Sequence, residues 1–148
     1  MSPAFDESPA PHELRLVVRY GETDQMGVVH HANYLAYFEE GRTRMMADLG
    51  CSYAGLERRG IGLPVRKVDL RYRSPAHYEE ELIVRTRVAK LRAASVSFEY
   101  EIRRVSDGEL LVTGNTELAC ISLGERERGV VPLPEDLQRL LEPCLAQE

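Results

Sequence analysis

The sequence predicts one α+β domain in which a curved antiparallel sheet of about five strands wraps around one long central helix. The two observations behind this prediction concern the spacing of apolar residues. In the first third of the chain they recur at helical spacing, and from residue 62 onward they mostly alternate with polar residues, as in strands. One helix followed by successive antiparallel strands excludes an alternating βαβ architecture.

Length and composition fit a single domain. The chain has 148 residues, of which 43% are apolar, and this is enough to form a core. Residues 1–12 contain three prolines and few large apolar groups, so we assign them to a flexible N-terminal arm. Residues 13–148 form the predicted domain.

Charge and sequence patterns limit the expected partners. The formal net charge of -5 argues against binding to nucleic acid. The sequence has no apolar run of about 18 residues and no signal-peptide pattern, so we expect a cytoplasmic protein that does not enter a membrane. The three cysteines form no CxxC pair and no HExxH motif occurs, which predicts reduced thiols and no bound metal.

The first strand and the long helix have clear local patterns. Alternation over 14–20 predicts a strand that ends at Gly21. The helix is predicted to begin between His31 and Asn33 and to end at Gly50, a length of about five turns. Its first half has apolar residues on more than one side, so we expect other structure to enclose it.

The later elements follow in sequence order. Ser52 is the expected cap of a short helix over 52–59. Ser106-Asp107-Gly108 is a hairpin turn, and Gly114 marks either a bulge or a close backbone approach. The remaining predicted elements are strands near 67–73, 82–88, 96–102 and 110–123, and a terminal helix over 134–141.

The candidate chemistry lies where a polar loop enters the long helix. A helix start has free backbone N–H groups and the positive end of the helix dipole, so it can hold an anion or a developing oxyanion. Asp24 lies seven residues before His31, and Gly27 suits a turn between them. The residues alone leave two interpretations of Asp24 open: a catalytic carboxylate or an ordinary turn residue.

Other catalytic patterns are missing from the sequence. It has no GxSxG elbow and no glycine-rich phosphate loop, and Cys120 has no obvious histidine partner. His30 and His31 are adjacent, so we expect their side chains to diverge. An acid and a helix start therefore remain as the candidate chemistry.

A basic segment follows in the third and fourth predicted strands. Its members are Arg85, Arg87, Lys90, Arg92, Arg103 and Arg104. Such a cluster suits a phosphorylated small molecule, but pairing with Glu99 and Glu101 on a solvated sheet face explains most of these arginines better. Lys90, Arg92 and Ser95 are the exceptions, because a bend can present them together.

The stretch from Tyr20 to Arg44 resembles the hotdog-fold acyl-CoA thioesterases of the 4-hydroxybenzoyl-CoA thioesterase type. The similarity is carried by TDQMGVV at 23–29, then His31, Asn33, Tyr34 and Phe38-Glu39, and it extends more weakly over 14–123. The resemblance implies a hotdog fold, a sheet wrapped around a central helix. It also implies hydrolysis of an acyl or aryl thioester to a carboxylic acid and free coenzyme A, with no cofactor.

The resemblance implies roles for individual residues. In that family the aspartate at the Asp24 position is the catalytic carboxylate, acting as nucleophile or as general base, and the backbone N–H at the His31 position polarises the thioester carbonyl. The implied substrate-binding residues are Val29, His30, Tyr34 and Phe38 for the acyl group and Lys90, Arg92 and Ser95 for the coenzyme A phosphates.

The resemblance also implies a homodimer or homotetramer with its active site between two subunits, Asp24 coming from one chain and the helix start from the other. Two alternatives stay open. One is a hotdog hydratase or dehydratase that would use His31 with Glu39, and the other is a non-catalytic module that binds acyl-CoA or an acyl carrier. The sequence does not name the acyl group or choose between coenzyme A and carrier-protein thioesters.

Overall fold

Five strands form one antiparallel sheet, as predicted. The structure, a computed structural model, describes Phe5, residues 9–124 and residues 129–146. In chain order the strands of this sheet are β1 (His12–Val17), β3 (Val65–Tyr72), β4 (Glu81–Leu91), β5 (Ser95–Arg104) and β6 (Leu110–Ala119). Their spatial order is β1-β4-β5-β6-β3, so β1 and β3 are the two edges. A separate two-stranded ladder pairs β2 (Ile61–Gly62) with β7 (Ile121–Ser122).

Three α-helices accompany the strands in the described part of the chain: α1 (Asn33–Asp48), α2 (Tyr53–Arg58) and α3 (Glu135–Leu141). With 16 residues, α1 spans about four and a half turns, somewhat less than predicted. The predicted cap of α2 is confirmed, since the Ser52 hydroxyl accepts a hydrogen bond from the Gly55 amide at 3.0 Å. No helix within the described ranges is long and apolar enough to cross a membrane.

One face of the sheet, which we call the inner face, carries α1. This helix packs against β4 and β1, and its Phe38 ring stacks on Tyr100 of β5 with centroids 4.2 Å apart. Gly114 is a close backbone approach, as predicted: a Cβ atom there would lie 2.5 Å from the Phe38 ring. The opposite side of α1, including Glu39 and Glu40, is exposed, so one chain does not enclose the helix.

The inner face is incompletely covered near β3. Val68 and Tyr72 pair with the buried Thr116 and Val112 of β6, yet they are 42% and 50% exposed. An edge strand with exposed apolar side chains and free backbone groups is a surface suited to pairing with another strand. The single chain thus leaves one edge of its core open.

The outer face of the sheet is charged. Arg85 donates to the buried Glu101 at 2.6 Å, and Arg87 pairs with Glu99 on the same two strands. These cross-strand pairs confirm the predicted pairing of both arginines on the sheet face. Arg85 and Glu101 are buried, however, so the expectation that this face is solvated is wrong for that pair. Residues 1–4 and 6–8 of the predicted N-terminal arm lie outside the described residues, whereas the Phe5 ring lies 4.3 Å from the Arg87 guanidinium carbon.

The sheet has two functionally different ends. At the end that we call the loop end, β1 finishes at Val17 opposite Glu81, and β3 finishes at Tyr72 opposite Val112. The other end contains the bend between β4 and β5 at 92–94, and we call it the hairpin end after this β4–β5 hairpin. The candidate catalytic loop enters at the loop end.

Candidate active site

The loop between β1 and α1 folds back on itself. The strand ends at Val17, earlier than predicted, because Tyr20–Glu22 forms a 3-10 turn. Beyond it, Thr23 pairs with Val29 and the Asp24 amide donates to the Val28 carbonyl at 2.8 Å. Gly27 has a φ of +79°, a conformation that other residues resist, and this lets the chain reverse.

One of the two Asp24 carboxylate oxygens is hydrogen-bonded within this turn. Its Oδ1 atom accepts hydrogen bonds from the Met26 amide at 2.8 Å and the Val28 amide at 3.4 Å. Its Oδ2 atom makes no hydrogen bond with any described residue, and the side chain is only partly buried. The two interpretations of Asp24 are therefore compatible: one oxygen shapes the turn while the other stays available to a reactant.

The backbone at the start of α1 offers a free donor. The amides on either side of His31 are used, since His30 N–H donates to Glu22 O at 2.9 Å and Ala32 N–H to the His30 ring at 3.3 Å. No described residue accepts a hydrogen bond from His31 N–H. Because it precedes a 16-residue helix, this amide lies in the positive field of the helix dipole.

A cavity of about 270 Å³, which His31 lines, opens at the loop end. Its walls combine apolar and aromatic side chains with the polar Arg73 and Ser74, and the Tyr34 and Tyr72 ring centroids are 5.7 Å apart. Burial raises the pKa of Tyr34, so this phenol stays neutral. The lining residues are Val29, His31, Tyr34, Tyr72, Arg73, Ser74 and Pro75.

The cavity contains some of the predicted substrate-binding residues and not others. Val29, His31 and Tyr34 line it, and Asp24 and the exposed His30 lie in the adjoining loop without lining it. Phe38 is fully buried in the core against Tyr100, because the sheet covers that side of α1. Phe38 therefore supports the site from behind.

The two histidines behave differently from the prediction. The His30 and His31 ring centroids are only 4.2 Å apart, so the expectation that the side chains diverge is wrong. The reason is that both residues lie in a turn, where neither the helix nor the strand rule for side-chain direction applies. Within the described ranges, no group of three or more His, Cys, Asp or Glu side chains is arranged to hold a metal ion.

The basic bend lies far from this loop within one chain. Lys90 and Arg92 are exposed and Ser95 is buried, with Arg92 N–H donating to Ser95 O at 2.9 Å. These residues lie at the hairpin end. Lys90 lies nine positions after Glu81, which is at the loop end of β4, a distance of about 30 Å in an extended strand.

Asp24 and the helix start belong to one loop of one chain. The Thr23–Val29 pairing and the hydrogen bonds described above join the residues flanking Asp24 to those flanking His31. We expected Asp24 from one subunit and the helix start from another, whereas each chain carries both in the same loop. A single chain supplies both because the turn brings them together.

Glu22 is a site residue that the sequence patterns did not indicate. Its carbonyl oxygen accepts from His30 N–H at 2.9 Å and from the Asn33 side-chain amide at 2.8 Å. Its Oε1 atom accepts from Arg19 N–H at 2.8 Å and from the Tyr37 hydroxyl at 2.9 Å. Only the short-range Arg19 contact could have been suspected from spacing, since Tyr37 is 15 residues away.

The residues proposed for a hydratase do not form a pair. Glu39 is exposed on α1, and it follows His31 by eight residues, about 12 Å along a helix axis. The thiols are not reactive candidates either, because burial raises the pKa values of Cys51, Cys120 and Cys144 and disfavours their thiolates.

An antiparallel five-stranded sheet that carries a helix, with an acid-bearing loop and a free amide at the helix start, is the arrangement expected of a hotdog-type protein. Residues 18–141 match the Thioesterase-like superfamily, and the chain belongs to this family.

Individual relatives are similar over most of their length. A putative acyl-CoA thioesterase of Bacillus subtilis, YneP, is 38% identical over 104 residues, which are 70% of this chain and 75% of the relative. A solved hypothetical protein of Thermus thermophilus is 38% identical with a TM-score of 0.83, over 90% of this chain and 98% of its own. A DHNA-CoA thioesterase structure from Staphylococcus aureus is 37% identical with a TM-score of 0.75, over 86% and 80%.

Proposed function

We propose that this protein is an acyl-CoA thioesterase that hydrolyses an acyl or aryl thioester to a carboxylic acid and free coenzyme A. The observation that carries the proposal is the free amide of His31, a residue that lines a cavity and lies in the same loop as the uncommitted Asp24 oxygen. Thioester hydrolysis needs a positioned oxygen that attacks or activates water, and a donor for the oxyanion. This loop offers both.

In the general-base route, Asp24 takes a proton from water as the water oxygen bonds to the thioester carbon. The carbonyl oxygen becomes an oxyanion that accepts the His31 N–H hydrogen bond. The carbon–sulfur bond then breaks, and the coenzyme A thiolate takes the proton held by Asp24. The products are a carboxylic acid and a free thiol.

In the nucleophilic route, Asp24 itself bonds to the carbonyl carbon and the thiolate leaves, giving a mixed anhydride that water then hydrolyses. A single-turnover experiment with excess enzyme separates the two routes. A burst of thiol ahead of acid release indicates the anhydride. Equal rates are expected of the general-base route and also of an anhydride that is hydrolysed faster than it forms.

The proposal includes a homodimer formed through β3. Antiparallel pairing of two β3 edges buries Val68 and Tyr72 and places the hairpin end of one copy beside the loop end of the other. The sheet then continues through both copies and wraps around α1 of each, which becomes the central helix of its subunit. A homotetramer of two such dimers is the larger assembly that we expect.

This dimer explains how a distant bend can serve the site. In the paired sheet, β3 of the first copy is followed by β3, β6 and β5 of the second copy. Three strand spacings of about 4.8 Å therefore put the start of that β5 about 15 Å from the loop end of β3 in the first copy. Lys90, Arg92 and Ser95 of the second copy are then placed to bind the coenzyme A phosphates. Val29, His30 and Tyr34 contact the acyl group, with Phe38 behind them.

Hydrolysis of an acyl-CoA panel tests the function. The panel varies chain length and ring content and includes a carrier-protein thioester, and thiol release is the readout. Because the Staphylococcus aureus neighbour is a DHNA-CoA thioesterase, aryl thioesters head the panel. The three free thiols of the chain fit a reducing cytoplasm, where we place the protein. Binding without hydrolysis of any substrate would favour the non-catalytic module instead.

A further inference from the structure

Glu22 connects three parts of the site that are separate in sequence. It closes the 3-10 turn through Arg19, it holds the end of the catalytic loop through His30, and it reaches α1 through Asn33 and Tyr37. Its side chain is only 17% exposed, and Tyr37 is 1% exposed.

The position of Glu22 in the chain shows how these contacts hold the catalytic loop. Glu22 lies two residues before Asp24, and its partner His30 lies immediately before His31. The bond from His30 N–H to Glu22 O therefore closes the neck of the loop that carries both the carboxylate and the free amide. The bond from the Tyr37 hydroxyl to the Glu22 carboxylate attaches that neck to the second turn of α1.

The hydrogen bond from the Tyr37 hydroxyl to the Glu22 carboxylate is stable for two reasons. Burial raises the pKa of Tyr37, and the neighbouring Glu22 raises it further, so the phenol keeps its proton and remains the donor. A hydrogen bond to an ionised carboxylate in a partly buried place is stronger than a neutral one. The Glu22 carboxylate is thus held by its neighbours and does not face the cavity.

We propose that Glu22 is a positioning residue that, through Tyr37 and Asn33, fixes the Asp24 carboxylate relative to the His31 amide. This inference rests on the proposed thioesterase function. Glu22 moves no proton and touches no reacting atom. It sets the distance between the group that attacks or activates water and the group that binds the oxyanion, and catalysis depends steeply on such distances.

The decisive variant is Tyr37→Phe, which removes one hydroxyl and keeps the buried ring. The loop should then sample other positions, so kcat should fall at least about tenfold, and up to about a hundredfold, while KM stays within about threefold. Tyr100→Phe is the matched control. It also removes a buried hydroxyl, here one that bonds Thr116 at 2.6 Å and also Arg42 of α1, in the core away from the loop. Its kcat should stay within about twofold of wild type, since no contact of the loop changes.

A double-mutant cycle tests whether Glu22 and Tyr37 act as one unit. Glu22→Gln keeps the size of the side chain but weakens its bonds, so kcat should fall in this variant as well. If the two residues act together, adding Tyr37→Phe to Glu22→Gln should cost much less than Tyr37→Phe costs alone. Fully additive losses would overturn the assignment.

A measurement without substrate keeps the inference separate from the proposed function. Amide hydrogen exchange at His30 and Gly27 reports whether the loop is anchored, because both amides are bonded within it. Exchange at both should accelerate in Tyr37→Phe and stay unchanged in Tyr100→Phe. If wild type hydrolyses no thioester, the proposed function fails. The exchange rates of the His30 and Gly27 amides then decide on their own whether Tyr37 anchors the loop. If wild type is active and Tyr37→Phe matches Tyr100→Phe in kcat or in exchange, the positioning role is overturned while the thioesterase function stands.

Discussion

The Tyr72 hydroxyl donates a hydrogen bond to the His31 carbonyl oxygen at 3.1 Å. This bond ties the edge strand β3 to His31, a residue that lines the cavity. The same strand carries the exposed Val68, so the surface that we expect to pair with a second copy is in direct contact with the candidate active site. Assembly and catalysis should therefore change together.

Placing a charge on the β3 edge should break the assembly. In Val68→Lys the ammonium would have to be buried against a second copy without a partner, which is costly, so dimers should dissociate. Light scattering at micromolar concentration should give twice or four times 16.8 kDa for wild type and about one chain mass for the variant. Hydrolysis should fall with the mass, because in the proposed dimer the second copy supplies the phosphate-binding bend.

The control for this experiment is Val17→Lys on β1, the other edge of the sheet. Val17 is 53% exposed, so its accessibility is similar to that of Val68. The variant should keep the wild-type mass. Loss of assembly in Val17→Lys but not in Val68→Lys would move the interface to β1, and a wild-type mass of one chain would rule out the dimer.

Local patterns in the sequence predicted most of the fold. Helix α1 lies within its predicted bounds, and the Ser106–Gly108 hairpin forms with Gly108 at positive φ, because caps and turns depend on neighbouring residues. The end of β1 was wrong because the Tyr20–Glu22 turn is held by Glu22, whose partners on α1 are distant in sequence.

The site was less predictable than the fold. The sequence indicated Asp24 and the helix start because a turn followed by a helix is a local feature. It did not reveal that Phe38 faces the core, since the side of a helix that is buried depends on where the sheet packs. It also did not reveal that the bend at Lys90 lies at the far end of β4, because that separation follows from strand register.

The close packing of Gly114 against α1 predicts a large loss of stability in Gly114→Ala. The added Cβ would lie 2.5 Å from the Phe38 ring and 2.8 Å from the Asp69 carbonyl oxygen, which belongs to the backbone and cannot move freely. Overpacking of this kind costs about 1–3 kcal/mol or more. Denaturant unfolding of Gly129→Ala gives the comparison, because no atom of the described residues lies within 4 Å of the Cβ position there. Equal stability of both variants would contradict the packing at Gly114.

Replacing Arg92 should weaken coenzyme A binding and leave the chemical step intact. A phosphate contact far from the thioester binds ground and transition states alike, so Arg92→Ala should raise KM with little change in kcat. A partly desolvated arginine–phosphate bond contributes about 1.5–3 kcal/mol, which corresponds to a rise in KM of roughly ten- to a hundredfold. A short acyl-pantetheine substrate lacks the nucleotide phosphates, so its KM should not change.

The exposed Arg139 of α3 provides the control, since it pairs with Glu135 on its own helix. Arg139→Ala should leave both substrates unaffected. An equal loss on the coenzyme A and pantetheine substrates in Arg92→Ala, or no loss on either, would remove the bend from the site.

Asp24→Asn should separate folding from catalysis. Asparagine keeps an oxygen that can accept the Met26 and Val28 amides, so the turn should persist and the thermal midpoint should shift little. The uncharged amide can neither attack a carbonyl nor take a proton from water, so kcat should fall at least about a hundredfold. Affinity for a product analogue should be roughly retained, because the phosphate and pantetheine contacts are unchanged.

Asp107→Asn is the matched control: Asp107 accepts the Glu109 amide at 3.0 Å in the same kind of turn, but in the hairpin between β5 and β6. It should keep wild-type kcat. If Asp24→Asn stays folded, binds the analogue and turns over within about threefold of wild type, far less than removal of a general base costs, then Asp24 is only a turn residue and the protein binds acyl thioesters without using it for hydrolysis.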